Sequence, residues 1–312
     1  MEEKHFGPVW FIPGENKGKY PFCHSVYIEG ACILIDPASD RNRLEKLRAT
    51  AGVKSVWLSH WHEDHFMHLD LFDDLPLWIS QDDAPPLSNL DLLLDWYGLH
   101  HEEHRKFWRQ VMIEQFRFKP RKPHGFFRDG DIIRLGSLTV DIIATPGHTP
   151  GHLAFFFREP AVLFLGDYDL TRFGPWYGDA YSSIEDTVAS LARLKKIPAR
   201  VWLAGHETGV FEQPPAELWE QYEKVIYERE DKLLKALDQP KTLEEIVSLW
   251  LIYGRPREPR AFFEFGERAL MKKHLESLQK RKMVFLENGH YVKNVDDLSK
   301  FLQAHTCGGG KA

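Results

Sequence analysis

Cysteine is scarce in this chain: three residues among 312, Cys23, Cys32 and Cys307, an odd number at no metal-binding spacing. That excludes a disulfide-built scaffold and a cysteine-based zinc module. Cys23 and Cys32 lie in neighbouring strand-like runs and read as buried thiols rather than a pair. Long apolar runs are also missing, and Met1 to Gly7 is polar and charged, unlike a signal peptide. The expectation is a protein of the reducing cytoplasm with no membrane attachment. There is no positive excess either. A formal net charge of −6 argues against a whole-protein polyanion binder. What is present is a 43% hydrophobic fraction with 13% aromatics, enough for a substantial core in one large or two ordinary domains.

Histidine and acid concentrate in one place. Lys54 to Ser59 is a short β-branched and aromatic run that reads as a buried strand, and His60-Trp61-His62-Glu63-Asp64-His65 follows directly. His60 and His62, two apart, project to the same side of an extended backbone. A turn after them lets Asp64 and His65 face a second point. A core could not satisfy so many polar groups at once. A solvated polar turn is the bland alternative for this stretch alone.

Three later blocks repeat one grammar, an apolar strand, a small residue and a ligand-type side chain. Leu138 to Ala144 leads into Thr145-Pro146-Gly147-His148-Thr149-Pro150-Gly151-His152. Ala161 to Leu165 leads into Gly166-Asp167, and Val201 to Ala204 into Gly205-His206-Glu207. Together the four blocks resemble the metallo-β-lactamase superfamily over roughly residues 7 to 210, with glyoxalase II-like features. The resemblance implies an α/β (α+β) fold, a four-layer αββα sandwich. It implies that His60, His62 and His148 hold one metal ion, that Asp64, His65 and His206 hold a second, and that Asp167 bridges them. Two divalent ions about 3.5–4 Å apart would share a hydroxide made from water whose pKa falls from about 15.7 to roughly 7. Asp64 would orient that hydroxide while ligating and is the catalytic candidate. An all-nitrogen-and-oxygen donor set leaves Zn, Fe and Mn possible, and Zn is the leading expectation.

The remaining chain sorts around this centre. Short runs at Val9–Ile12, Phe22–Ile28 and Ala31–Ile35 read as meandering strands with a tight turn at Glu29-Gly30. Arg41 to Thr50 reads as a surface helix. His24 stands where family members commonly carry Asn, so it is a substrate-contact or supporting candidate beside a plain strand histidine. Gln81 to Gly125 reads as a helical insertion, one helix around Leu90, Leu93, Leu94 and Tyr97 and another with Phe107, Val111 and Phe116 on one face. A pocket wall over the centre and a homodimer surface are its two readings. By resemblance Tyr168, Arg172 and Tyr177 are substrate-binding candidates, with aromatic loop packing as the alternative.

Pro214-Pro215 marks a boundary, giving a catalytic domain at 1–212, a C-terminal domain at 213–303 and a flexible tail at 304–312. Helices at 216–237, around Thr242 (a capping box with Glu245) and at 261–282, then a hairpin turning at Asn288-Gly289, resemble a winged-helix domain. Its basic excess leaves nucleic acid open as a partner. The leading function is hydrolysis of a small-molecule carboxyl ester, thioester or lactone. A phosphodiesterase or endoribonuclease comes second, and a mononuclear-iron enzyme of persulfide dioxygenase type third.

Overall fold

The computed structural model describes residues 1–294. The expected tail at 304–312, with Cys307, and the end of the expected 213–303 domain lie outside the described residues. The chain divides into two compact units, Met1–Glu223 and Lys224 onward.

In the first unit β1 (Lys4–Phe6), β2 (Val9–Ile12), β3 (Ser25–Ile28) and β4 (Ile33–Ile35) form an antiparallel meander. Helix α1 (Arg41–Thr50) crosses over to β5 (Ser55–Trp57), which pairs parallel with β4. β6 (Leu77–Ser80) adds parallel. The insertion helices α2 (Pro85–Ser88), α3 (Leu90–Trp96) and α4 (Glu102–Glu114) then lead to a parallel β7 (Gly125–Phe127). These seven strands lie in sequence order. The second sheet holds β8 (Ile132–Leu135), β9 (Leu138–Ala144), β10 (Leu153–Phe157) and β11 (Val162–Phe164). Helix α5 (Ile184–Leu194) carries the chain to β12 (Val201–Leu203) and β13 (Val210–Phe211).

The sheets are short and nearly all apolar because both are covered. Val9, Phe11, Val26, Ile28, Ile35 and Trp57 of one sheet share a core with Val140, Ile142, Phe155, Phe157, Val162, Phe164 and Leu203 of the other. Trp57 stacks on Phe155 across the interface with ring centroids 5.8 Å apart. Each such side chain contributes roughly 1.5–3 kcal/mol of burial. Strand direction then places the site. β9 and β11 both run antiparallel to β10, and β12 runs parallel to β11, so β9, β11 and β12 end at one edge.

The second unit has its own core. Leu233 from α6 (Ala216–Ala236) and Leu237 just after it, Ile246 from α7 (Leu243–Ser248), and Met271, Leu275 and Leu278 from α8 (Arg260–Lys280) pack together. Met283 and Val284 complete it, Val284 opening the hairpin of β14 (Val284–Glu287) and β15 (His290–Lys293). The hairpin turns at Asn288 and Gly289, with φ of 48° and 80°. Both values are what a two-residue type I′ turn requires. The capping box of Thr242 with Glu245 is present.

Three details differ from expectation. The units part at Glu223 rather than at 212, because the first turns of α6 belong to the sandwich: Trp219 and Tyr222 are buried, and Lys195 pairs with Glu223. In α4 the buried face is Trp108 and Met112, continuing to Phe116, whereas Phe107 is exposed. The turn after β3 is longer than Glu29-Gly30, since Cys32 takes φ 57° and β4 starts only at Ile33. No described helix is long and apolar enough to cross a membrane.

Candidate metal centre

Each donor follows a strand end. His60 to His65 come after β5, His148 sits in the Thr145–His152 turn between β9 and β10, Asp167 follows β11 and His206 follows β12. The structure brings them together. His148 Nε2 lies 3.1 Å from His60 Nε2 and 2.9 Å from His62 Nδ1, and 3.3 Å from Asp167 Oδ2. The other carboxylate oxygen of Asp167 faces a second group: Oδ1 lies 2.8 Å from His65 Nε2 and 3.4 Å from His206 Nε2. Asp64 Oδ2 is 3.3 Å from His206 Nε2. All seven expected ligands therefore share one pocket, and Asp167 stands between two sets.

The ring nitrogens facing away from the pocket are anchored. His60 Nδ1 meets Ser59 Oγ at 2.9 Å, and His65 Nδ1 meets Asp36 Oδ2 at 2.8 Å. His206 Nδ1 reaches the carbonyls of Gly18 and Phe22, and His148 Nδ1 that of Trp176. His62 Nε2 lies 2.7 Å from Asp179 Oδ2. An imidazole held this way offers its remaining nitrogen, in fixed orientation, to a cation. Asp167 is placed from behind as well. Its N–H donates to His152 Nε2, its carbonyl accepts from Tyr222 Oη, and His152 Nδ1 meets Thr145 Oγ1.

Two observations test whether these residues fit metal ions. Asp167 Oδ1 is buried yet has no hydrogen bond of acceptable geometry, despite the imidazole 2.8 Å away. A buried carboxylate oxygen left so is costly unless a cation takes its lone pairs. Gly205 is the second. A Cβ there would stand 2.9 Å from Asp167 Oδ1 and 3.1 Å from His65 Cε1, filling the space beside the orphaned oxygen. The donors fit.

Electrostatics divide the histidines. His60 and His148 are held neutral, whereas the acidic groups beside His62, His65 and His206 outweigh burial and raise them, so a cation there would displace protons. Burial pushes His60 well below the ordinary histidine range and His148 down to about 4, keeping both lone pairs available. Burial opposes ionisation of Asp167 too, but His65, His206 and His148 override it and hold the carboxyl well below its usual range. For His62 burial likewise opposes charge, and Asp179 outweighs it, raising the ring to about 9.

The weaker site candidates fall differently. His24 accepts from Gly14 N–H at Nδ1 and faces Glu207 O at 3.2 Å with Nε2, while burial takes it down to about 4. Both nitrogens face backbone groups, so it ties together the loops at Gly14 and Glu207. Tyr168 is buried with its hydroxyl on the carbonyls of Thr145 and Pro146, which makes it packing for the His148 turn. Tyr177 is fully buried, and Arg172 is exposed.

Several supporting residues carried no sequence signal: Asp36, Asp179, Trp176, Tyr222 and Cys23. Cys23 groups with His65 and His206, donor atoms within 4.8 Å, although its Sγ lies 3.6 and 3.7 Å from the two His65 nitrogens, against the ring. Glu63 accepts from the hydroxyls of Tyr20 and Tyr97, the latter from the insertion. The Tyr97 ring also stacks on His62 at 5.5 Å.

A two-sheet sandwich carrying a buried His/Asp cluster at one strand edge defines a metal-binding enzyme class, and comparison with known proteins supplies the family. Residues 20–206 match the profile of the Metallo-beta-lactamase superfamily. A probable metallo-hydrolase of Streptococcus pyogenes is 30% identical over 170 residues, 53% of this chain and 66% of that protein. A hydroxyacylglutathione hydrolase of Haemophilus influenzae is 28% identical over 184 residues, 55% of this chain and 78% of that one. The chain thus spans just under two thirds of the first relative's length. Among solved structures, a metallo-beta-lactamase family protein of Thermus thermophilus superposes with TM-score 0.70 at 25% identity, covering 92% of this chain and 99% of that one. The chain belongs to the metallo-β-lactamase superfamily.

Proposed function

We propose that the protein is a metal-dependent hydrolase of carboxyl esters, thioesters or lactones. His60, His62 and His148 would hold one divalent ion, Asp64, His65 and His206 a second, and Asp167 would serve both, with zinc favoured over iron and manganese. The observation that carries this reading is the split of Asp167, Oδ2 toward the first set and Oδ1 toward the second. Bound there, divalent ions supply Lewis acidity toward a carbonyl oxygen and a strong nucleophile from water at neutral pH. The chain's own part is orientation: Asp36, Ser59 and the Trp176 carbonyl fix imidazoles, and His152 with Tyr222 fixes Asp167. Asp64, with a pKa held down by His206 against burial, stays an acceptor able to orient a proton-bearing nucleophile.

The choice of a carbonyl centre rests on the charges present. Among the described residues, the first unit buries His, Asp and Glu side chains but no Lys or Arg to clamp a phosphate. The relative named for hydroxyacylglutathione supports a small acylated substrate. The C-terminal unit we read as winged-helix-like, on its helices and β14–β15 hairpin.

Metal analysis of purified protein, then a panel of thioesters, aryl esters, lactones, bis(p-nitrophenyl) phosphate and single-stranded RNA with Zn, Mn and Fe forms, tests this. We expect two metal equivalents and turnover of carboxyl substrates. Efficient cleavage of RNA or the phosphodiester with every ester, thioester and lactone ignored would overturn the substrate class.

A further inference from the structure

The loop between β11 and α5 holds a carboxylate that the ligand grammar does not contain. Asp179 is 1% exposed, with Oδ2 2.7 Å from His62 Nε2 and Oδ1 accepting from Trp176 Nε1 at 3.0 Å. The carbonyl of the same Trp176 faces His148 Nδ1 at 3.0 Å. Ser182 Oγ donates to the His148 carbonyl at 2.6 Å, and Ser183 N–H to that of Gly147 at 2.9 Å. One short segment therefore closes a circuit, His62 to Asp179 to Trp176 to His148, around two of the three histidines of the first set.

We infer that Asp179 and Trp176 form a positioning pair dedicated to the first metal position. This rests on the metal-centre reading above. A carboxylate only accepts, so it holds a His62 proton on Nε2 and makes Nδ1, 2.9 Å from His148 Nε2, the nitrogen that a cation would take in place of a proton. The indole N–H fixes the carboxylate in turn, and the Trp176 carbonyl sets the complementary tautomer of His148, with Nε2 facing the pocket. His65 and His206 take their support from Asp36 and from the carbonyls of Gly18 and Phe22, none of which lies on this loop. The two positions should then respond separately to changes in the loop.

The test is calorimetric titration of Zn(II) into metal-free full-length protein, with the ligand-field absorption of the Co(II) form as a second readout. Wild type should take up two equivalents. Asp179→Ala should weaken one of them by about 10–100-fold, the usual cost of losing an outer partner, and leave the other unchanged. Asp179→Asn keeps an acceptor for Nε2–H and should lose less. Trp176→Phe removes only the indole donor and should weaken the same equivalent by several-fold; it and the Asn variant carry the test if the alanine variant does not fold. Unchanged affinity at both positions, or equal loss at both, overturns the inference while leaving the metal centre intact. A wild-type protein that binds no metal overturns both.

Discussion

The two units of this molecule bury comparable polar groups and put them to different use. In the sandwich unit, buried histidines point at acids and at one another, with donor atoms left facing a common pocket. In the C-terminal unit, His274 is as fully buried but is flanked by Arg229 and Arg281, and Glu267 accepts from the backbone N–H of Ile252 and Tyr253. Burial lowers His274 to about 3, much as it lowers His148 to about 4. Burial and a depressed pKa thus do not identify a site. Convergence of several donor atoms does: the sandwich histidines fall in such groups, and His274 falls in none among the described residues.

The largest expected effect tests the sandwich side of this comparison. Asp167→Ala removes the residue that stands between the two donor sets, so on the proposed two-ion reading metal content should fall from two equivalents to one or none. Activity should drop by more than the 10–100-fold typical of losing an outer partner. Plasma emission analysis with parallel kinetics checks this, and two retained equivalents would break the claim that Asp167 joins the sets.

Leu275→Ala tests the other side. The residue is fully buried in the C-terminal core, where truncation costs about 2–5 kcal/mol. Scanning calorimetry should show that loss while metal equivalents stay at the wild-type number. Metal content that falls with the C-terminal melting would show the two interiors are not independent.

The third test uses pH. His274 has an ordinary pKa of 6.5 when unfolded and about 3 when folded, so the unfolded chain takes up its proton first as pH falls. Stability from the buried neutral ring is complete above pH 6.5 and is lost progressively toward pH 3, about 2 kcal/mol by pH 5 at 1.36 kcal/mol per unit. Glu267, raised by burial, acts with the opposite sign. His274→Gln should therefore flatten the acid limb of urea stability between pH 6.5 and 5. An unchanged slope would mean that another group controls it.

How much of this was legible in the sequence follows from how each residue works. The donors could be read because each one follows an apolar strand, and strand ends are set by local composition. Helix α1 could be read over Arg41–Thr50, where it stands. Asp36 and Asp179 could not, because one lies 23 residues before Ser59 and the other 12 after Asp167, brought in by tertiary structure alone. His24 and Tyr168 show the converse. Their places in the family pattern suggested substrate contact, yet their polar atoms are committed to backbone groups. Phe107 lost the buried face of α4 to Trp108 because a helix face set by three apolar residues can rotate by one position without changing the pattern.

The smallest expected effect concerns a feature that was legible in full. Thr242 Oγ1 accepts from Glu245 N–H at 3.2 Å, and Glu245 Oε2 accepts from Thr242 N–H at 2.7 Å, satisfying donors that helix α7 cannot satisfy itself. Thr242→Ala breaks one half of this box and should cost about 1 kcal/mol. It should appear as a small drop in the C-terminal melting temperature, with metal content and kcat unchanged. Because the residue lies in the C-terminal unit and its side chain bonds only Glu245, a measurable change in metal affinity would contradict the division of labour drawn between the two interiors. A loss above about 2 kcal/mol would mean that the cap supports packing beyond α7, and Glu245→Ala should then match it.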